Sequence, residues 1–180
     1  MTILDGLSEI EYSGKTRVVI GKFDGIHAGH QKLIRMAASH EDSLKSVVFT
    51  FTFASEVYLN NVARILTEEE RRAKFESLGI DYLVEYELND TTAKMEPEEF
   101  VRVVLRERLH AAEIYCGPDI TFGYKGRGNL ELLKSMEDEI GIKVFVIDKV
   151  QYMGQDISST RIREAIKKGN LRDAENMLRG

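Results

Sequence analysis

Two histidines in a His-x-Gly-His arrangement stand in the run Gly21-Lys22-Phe23-Asp24-Gly25-Ile26-His27-Ala28-Gly29-His30. The run follows an apolar, β-branched stretch, Val18-Val19-Ile20, and precedes an amphipathic one, Leu33-Ile34-Arg35-Met36-Ala37-Ala38. This order predicts a first strand, a tight glycine loop and a helix that starts near Gly29. At a helix entrance both rings can face one anion, which also meets the free N–H groups and positive dipole end of the helix. Gly29 removes a Cβ that would hold a phosphate off the backbone. Imidazoles so placed can donate hydrogen bonds to phosphate oxygens as charge builds in a transition state. The stretch reads as a nucleotide-phosphate site that works without a covalent nucleophile. His40 and His110 lack this setting and read as surface residues at helix ends.

Two further segments carry chemistry. In Ile157-Ser158-Ser159-Thr160-Arg161-Ile162-Arg163, hydroxyls and free N–H groups at a helix entrance form a second anion cradle. Arg161 and Arg163 lie two apart, so on a helix they cannot point the same way. One reaches phosphates and the other a carboxylate or the surface. Alone, this would be an ordinary cap with two solvated arginines. Beside the histidine loop it gains weight, because a triphosphate needs gripping at more than one place. The run from Cys116 to Gly128 is glycine-rich, with two aromatics and two cations. Its Gly123-x-x-Gly126-x-Gly128 spacing is not the dinucleotide fingerprint. It reads as a flap over an aromatic ligand, and Cys116 as a small core residue at a strand end.

The elements that must position these residues alternate strand with helix. Strands are predicted over Thr16–Ile20, Ser46–Phe53, Tyr82–Tyr86, Glu113–Cys116 and Lys143–Val150. Helices are predicted after the glycine loop, from the Thr67–Glu70 capping box, from Pro97, from Asn129, from Ser158 or Ser159, and over Leu171–Leu178. The expected fold is α/β and Rossmann-like: a doubly wound, largely parallel five-stranded sheet with helices on both faces. The 180 residues suit a single domain, 1–180, and 43% hydrophobic residues supply its core. One cysteine fits a reducing, cytoplasmic setting. A net charge of −5 gives no support for nucleic-acid binding. No apolar run approaches the ~20 residues of a membrane helix, and no signal peptide is seen.

Taken together, the three segments resemble the FMN adenylyltransferase module of the bacterial bifunctional riboflavin kinase/FAD synthetase family, within the nucleotidylyltransferase superfamily. Gly21–His30 resembles its Gly-x-Phe-Asp-Gly-x-His-x-Gly-His motif. Ile157–Arg163 resembles its Ser-Ser-Thr-x-x-Arg motif, and Gly117–Gly123 its Gly-x-(Asp/Asn)-Phe-x-Phe-Gly segment. The likeness runs from about Val18 to Leu178, and the riboflavin kinase module is expected to be absent.

The resemblance implies AMP transfer from ATP to FMN, giving FAD and pyrophosphate, with Mg²⁺ bridging phosphates. It implies catalysis by His27 and His30. ATP would be held by Gly21, Phe23, Asp24 and Gly29, and by Ser158, Ser159, Thr160 and Arg163, with Arg161 as a further cation at that helix. Asp119 and Phe122 would face the flavin, Phe122 against its rings. Three positions depart from the family pattern. Lys22 stands where Asn is common, Ile120 replaces an aromatic, and Phe51–Glu56 lacks the usual Pro-His-Pro. These departures leave open another phosphorylated acceptor, or a non-catalytic nucleotide- or flavin-binding module.

Overall fold

A computed structural model describes residues 1–6, 8–38, 43–52, 63–90 and 92–179. Its strands are β1 (Thr2–Asp5), β2 (Thr16–Ile20), β3 (Lys45–Phe51), β4 (Tyr82–Tyr86), β5 (Ala111–Cys116) and β6 (Lys143–Val146). They form one six-stranded sheet in the order β1-β4-β3-β2-β5-β6, and every pairing is parallel. Every residue of β2 is buried, as is the whole interior of β3. That is what an unbroken β-branched and aromatic run encodes in a sheet covered on both faces.

The sequence predicts five strands, and the sixth is β1. It is four residues long, mostly exposed and paired only with β4 at the sheet edge. Such a strand needs no apolar run, so it leaves no periodic signal. The last strand stops at Val146 rather than Val150. Beyond it, β7 (Gln151–Tyr152) and β8 (Gln155–Asp156) make a small hairpin that the sequence reading omits. Both of its turn residues, Met153 and Gly154, have positive φ. A methionine stands where such turns favour Asn or Asp, which hides the hairpin.

Seven helices complete the described chain. They are α1 (Ala28–Ala37), α2 (Glu68–Ser77), α3 (Pro97–Glu99), α4 (Leu130–Ser135), α5 (Glu137–Ile140), α6 (Ser159–Lys167) and α7 (Leu171–Leu178). The chain leaves α3 as π-helical turns over Phe100–Arg108. The expected capping box opens α2: Thr67 Oγ1 accepts from the Glu70 N–H at 3.2 Å, and Glu70 accepts from the Thr67 N–H at 2.8 Å. On one sheet face, Val18, Ile20 and Phe49 pack against Phe100, Val104 and Leu133. On the other, Val19, Val48 and Leu83 pack against Leu33 and Ile34 of α1 and Phe75 of α2. Each such fully buried side chain contributes roughly 1.5–3 kcal/mol. A separate small cluster, around Ile157, Ile162, Ala174 and Met177, joins α6 to α7.

Candidate active site

From β2 the chain moves through β3 to β4 on one side, then returns to β5 and β6 on the other. The loops leaving the carboxyl ends of β2 and β5 therefore diverge, and a crevice opens between them. A cleft of about 360 Å³ lies there. Its walls include Gly21, Lys22, His27, Gly29 and His30 after β2, Asp119 and Ile120 after β5, Asp148 and Lys149 after β6, and Ser158 and Ser159 at the entrance of α6.

The histidine loop is shaped by close packing. A Cβ on Gly21 would lie 2.8 Å from the Phe23 ring. Phe23 is fully buried and supports His30 edge-on, with ring centroids 5.0 Å apart at 72°. Its other neighbour is Phe75, at 5.7 Å and 89°. Phe23 and Ile26 adopt φ of +52° and +41°. For an aromatic and a β-branched residue, this costs on the order of 1–3 kcal/mol each. The core around the loop sustains that strain next to the reactive groups.

His27 is the N-cap of α1, which starts at Ala28, one residue before the predicted Gly29. Its Nδ1 accepts the His30 N–H at 3.4 Å, the role usually taken by a Ser or Asp oxygen. An accepting Nδ1 places the proton of the neutral ring on Nε2. The two rings stack at 3.7 Å and 18°. Burial pulls His27 down to about 4, against a weaker upward pull from Asp24. Burial, and then His27, push His30 well below its ordinary value. Its Nδ1 is shielded from solvent and has no hydrogen-bond partner among the described residues. Both rings are thus neutral near pH 7, and a proton-bearing ring nitrogen can act as a donor without a standing charge. Gly29 has a role besides the expected one: a Cβ there would lie 3.3 Å from the His27 ring.

At the second motif, Ser158 caps α6, its Oγ accepting the Arg161 N–H at 3.2 Å. Ser159 Oγ donates to the Asp24 carbonyl at 2.6 Å, which joins α6 to the histidine loop. Arg163 forms an ion pair with Asp24 and donates to the Ala63 carbonyl at 2.7 Å. The other oxygen of Asp24 accepts the Ile65 N–H at 3.2 Å. Asp24, expected at ATP, is instead the knot between three segments. Arg161 turns the other way, as the two-residue spacing requires. It donates to the carbonyls of Tyr152 and Gln155, each at 2.9 Å, and holds the β7–β8 hairpin. Thr160 is exposed and, like Asp24, Arg161 and Arg163, lies outside the cleft wall.

Asp119 lines the cleft as expected, paired with Lys149 at 2.8 Å. Lys149, held charged by Asp119, and its neighbour Asp148 went unnoticed in the sequence. The available signal was their place just beyond the last strand, at the ligand end of such a sheet. Phe122, expected against the flavin, is a core ring here. It is 5% exposed, packs on Phe100 at 5.6 Å and is not part of the cleft wall. A Phe122–Gly128 bridge and an Arg127–Glu96 ion pair fasten the glycine-rich run, so it forms no open flap. Cys116 is buried, its thiol pushed up to about 11 by desolvation, and offers no nucleophile. His110 is bound through Nδ1 to the Tyr12 carbonyl at 2.9 Å. His40 and residues 53–62, where the Pro-His-Pro pattern is missing, lie outside the described residues.

A doubly wound parallel sheet with stacked imidazoles at its switch point defines an α/β protein of Rossmann-like fold. Residues 9–161 match the family described as FAD synthetase, and the chain belongs to that family. A bifunctional riboflavin kinase/FMN adenylyltransferase of Listeria monocytogenes is 32% identical over 89% of this chain and 52% of its own length. A protein of the same organism named FAD synthetase is 30% identical over 89% of this chain and 67% of its own. The chain spans 52% to 59% of four bifunctional relatives. A crystal structure from Streptococcus pneumoniae, described as a macrolide-efflux protein, superposes with a TM-score of 0.84 at 31% identity. It covers 99% of this chain and 60% of that one. Pantoate-beta-alanine ligase from Francisella tularensis, 17% identical with a TM-score of 0.60 over 96% of this chain and 78% of its own, shares the fold. Among the described residues no helix is long and apolar enough to cross a membrane.

Proposed function

We propose that this chain transfers AMP from ATP to FMN, giving FAD and pyrophosphate. The observation that carries the reading is the stacked, neutral His27–His30 pair capping α1 in the wall of the cleft. Family membership points the same way. An FMN phosphate oxygen attacks the α-phosphorus of ATP in line. The bond from that phosphorus to the oxygen bridging to the β-phosphorus breaks, and pyrophosphate leaves with its electrons. No protein atom becomes bonded to the substrate. Negative charge grows on the α-phosphate oxygens as this happens. The Nε2–H of His27 and a ring N–H of His30 donate to those oxygens, in a water-poor setting where such bonds count most. Ser158, Ser159 and the entrance of α6 receive the distal phosphates. Arg163 joins them by exchanging its bond to Ala63 for a phosphate oxygen, while Asp24 keeps it aimed.

Mg²⁺ fits this donor set as a companion of the nucleotide. The cleft offers two carboxylates, Asp119, which pairs with Lys149, and Asp148, and a further cation, Lys22. Among the described residues no cluster of three metal-ligating side chains occurs. Mg²⁺ is commonly held by one or two carboxylates together with substrate phosphates, and there it neutralises the triphosphate. Asp119 and Ile120 line the acceptor side, and Ile120 in place of an aromatic, with Phe122 in the core, favours a second reading: another phosphorylated acceptor. Incubation with ATP, Mg²⁺ and FMN decides between them. FAD and pyrophosphate in equal amounts are expected. Pyrophosphate released only with a different acceptor would select the second reading, and nucleotide binding without turnover would select a non-catalytic module.

A further inference from the structure

Directly after His30 stands Gln31, a neutral polar side chain only 3% exposed. Its amide bonds run in three directions. Nε2 donates to the Ile26 carbonyl at 2.9 Å and to the Leu178 carbonyl at 2.8 Å, while Oε1 accepts from Arg35 at 3.3 Å. The Ile26 carbonyl belongs to the peptide that joins Ile26 to His27. Ile26 is the strained residue of the loop, with φ of +41°. Leu178 is the last residue of α7. One side chain thus spans two carbonyls separated by most of the sequence. It spends both amide hydrogens doing so.

We propose that Gln31 is a positioning residue: it fixes the peptide plane before His27, and so the stacked imidazoles, against the carboxyl end of α7. Three physical points support this. A peptide whose carbonyl is tied cannot rotate, and rotation of the Ile26–His27 peptide would swing the N-cap ring out of its stack. The left-handed Ile26 would relax toward ordinary φ if nothing held its carbonyl. Finally, a buried amide that satisfies one buried and one half-buried carbonyl is costly to replace, because both acceptors then lose this partner. The consequence reaches beyond the loop. Docking of α7, through Met177 and Ala174 in the α6–α7 cluster, becomes a condition for correct histidine geometry. The consequence for turnover rests on the adenylyltransferase reading, whereas the effect on the rings does not.

The test uses Gln31→Met, which keeps length and volume but donates nothing, and Gln31→Asn, whose amide is one methylene too short to span both carbonyls. Two readouts are taken on folded protein. The first is nitrogen-15 NMR of the histidine rings without ligand. In the parent protein it should show His27 with its proton on Nε2; in either variant it should show a mixture of tautomers and altered His30 shifts. The second is steady-state turnover with ATP, Mg²⁺ and FMN. There kcat should fall tenfold or more, while KM for ATP stays within about twofold. Parent-like ring signals in a folded variant would overturn the proposal, whatever the rates. A fall in kcat that only tracks the folded fraction, with unchanged rings, would also overturn it. If the parent makes no FAD, the adenylyltransferase reading fails, and the ring signals still decide the role of Gln31. If Gln31→Met does not fold, Gln31→Asn carries both readouts.

Discussion

At the scale of single residues, the proposed role of the histidine pair requires two neutral rings held in a fixed stack. His27→Ala and His30→Ala should each lower turnover about a hundredfold or more, since loss of one oriented transition-state donor costs on the order of 3 kcal/mol. ATP affinity, measured by calorimetry, should change little; a rate within twofold of the parent would remove that histidine from the chemistry. Acid provides a second test. His27 lies near 4 in the fold, against an ordinary value of about 6.5. Between those values the unfolded chain binds the extra proton and the folded one does not. Stability therefore rises with pH across that window and is lost as pH falls from about 6.5 toward 4, by on the order of 3 kcal/mol for this group. The melting temperature should drop steeply below pH 6.5, and less steeply in His27→Gln. The rings should agree: nitrogen-15 NMR should show His27 unprotonated down to about pH 5. A ring titration centred at about 6.5 would mean the rings are not buried as described.

At the scale of elements, the two arginines of α6 part company. Arg163 lies between Asp24 and Ala63, and on the proposed role at the distal phosphates Arg163→Ala should raise KM for ATP more than it lowers kcat. Arg161 holds the β7–β8 hairpin by its carbonyls and lies over the Tyr152 ring at 5.6 Å. The hairpin is also tied by Tyr152 to Asp173 and Asn176 of α7. Arg161→Ala removes charge-assisted bonds together worth about 2 kcal/mol, for a drop of roughly 4–8 °C in melting temperature. KM for ATP should stay near the parent value. The reverse outcome, a normal melt with a raised KM, would return Arg161 to the phosphates.

At the scale of the whole molecule, the described residues form three packing units: each face of the sheet with its helices, and the small α6–α7 cluster. Phe122 belongs to the first unit. Phe122→Ala should cost about 3–5 kcal/mol of stability, as truncation of a buried aromatic does. The folded fraction should keep parent-like flavin affinity, read by fluorescence titration; a stable variant with weakened flavin binding would reinstate a direct contact. The strained Phe23 and Ile26 belong to the face that holds α1 and α2, so the loop depends on the packing there.

The sequence by itself determined the repeating strand–helix order, the parallel central strands and the location of the histidine loop. Those features rest on local signals: β-branched runs, caps such as Thr67–Glu70 and the spacing of glycines. It also determined that Arg161 and Arg163 diverge, which follows from helical geometry alone. Only the tertiary structure decided that Arg163 pairs with Asp24 while Arg161 holds the hairpin, that Asp24 also accepts from Ile65, and that Phe122 points into the core. It alone revealed β1, Lys149 in the cleft wall and the reach of Gln31 to Leu178. Each of these depends on contacts between residues far apart in the chain, where the spacing of side chains along one strand or helix carries no information about what lies opposite.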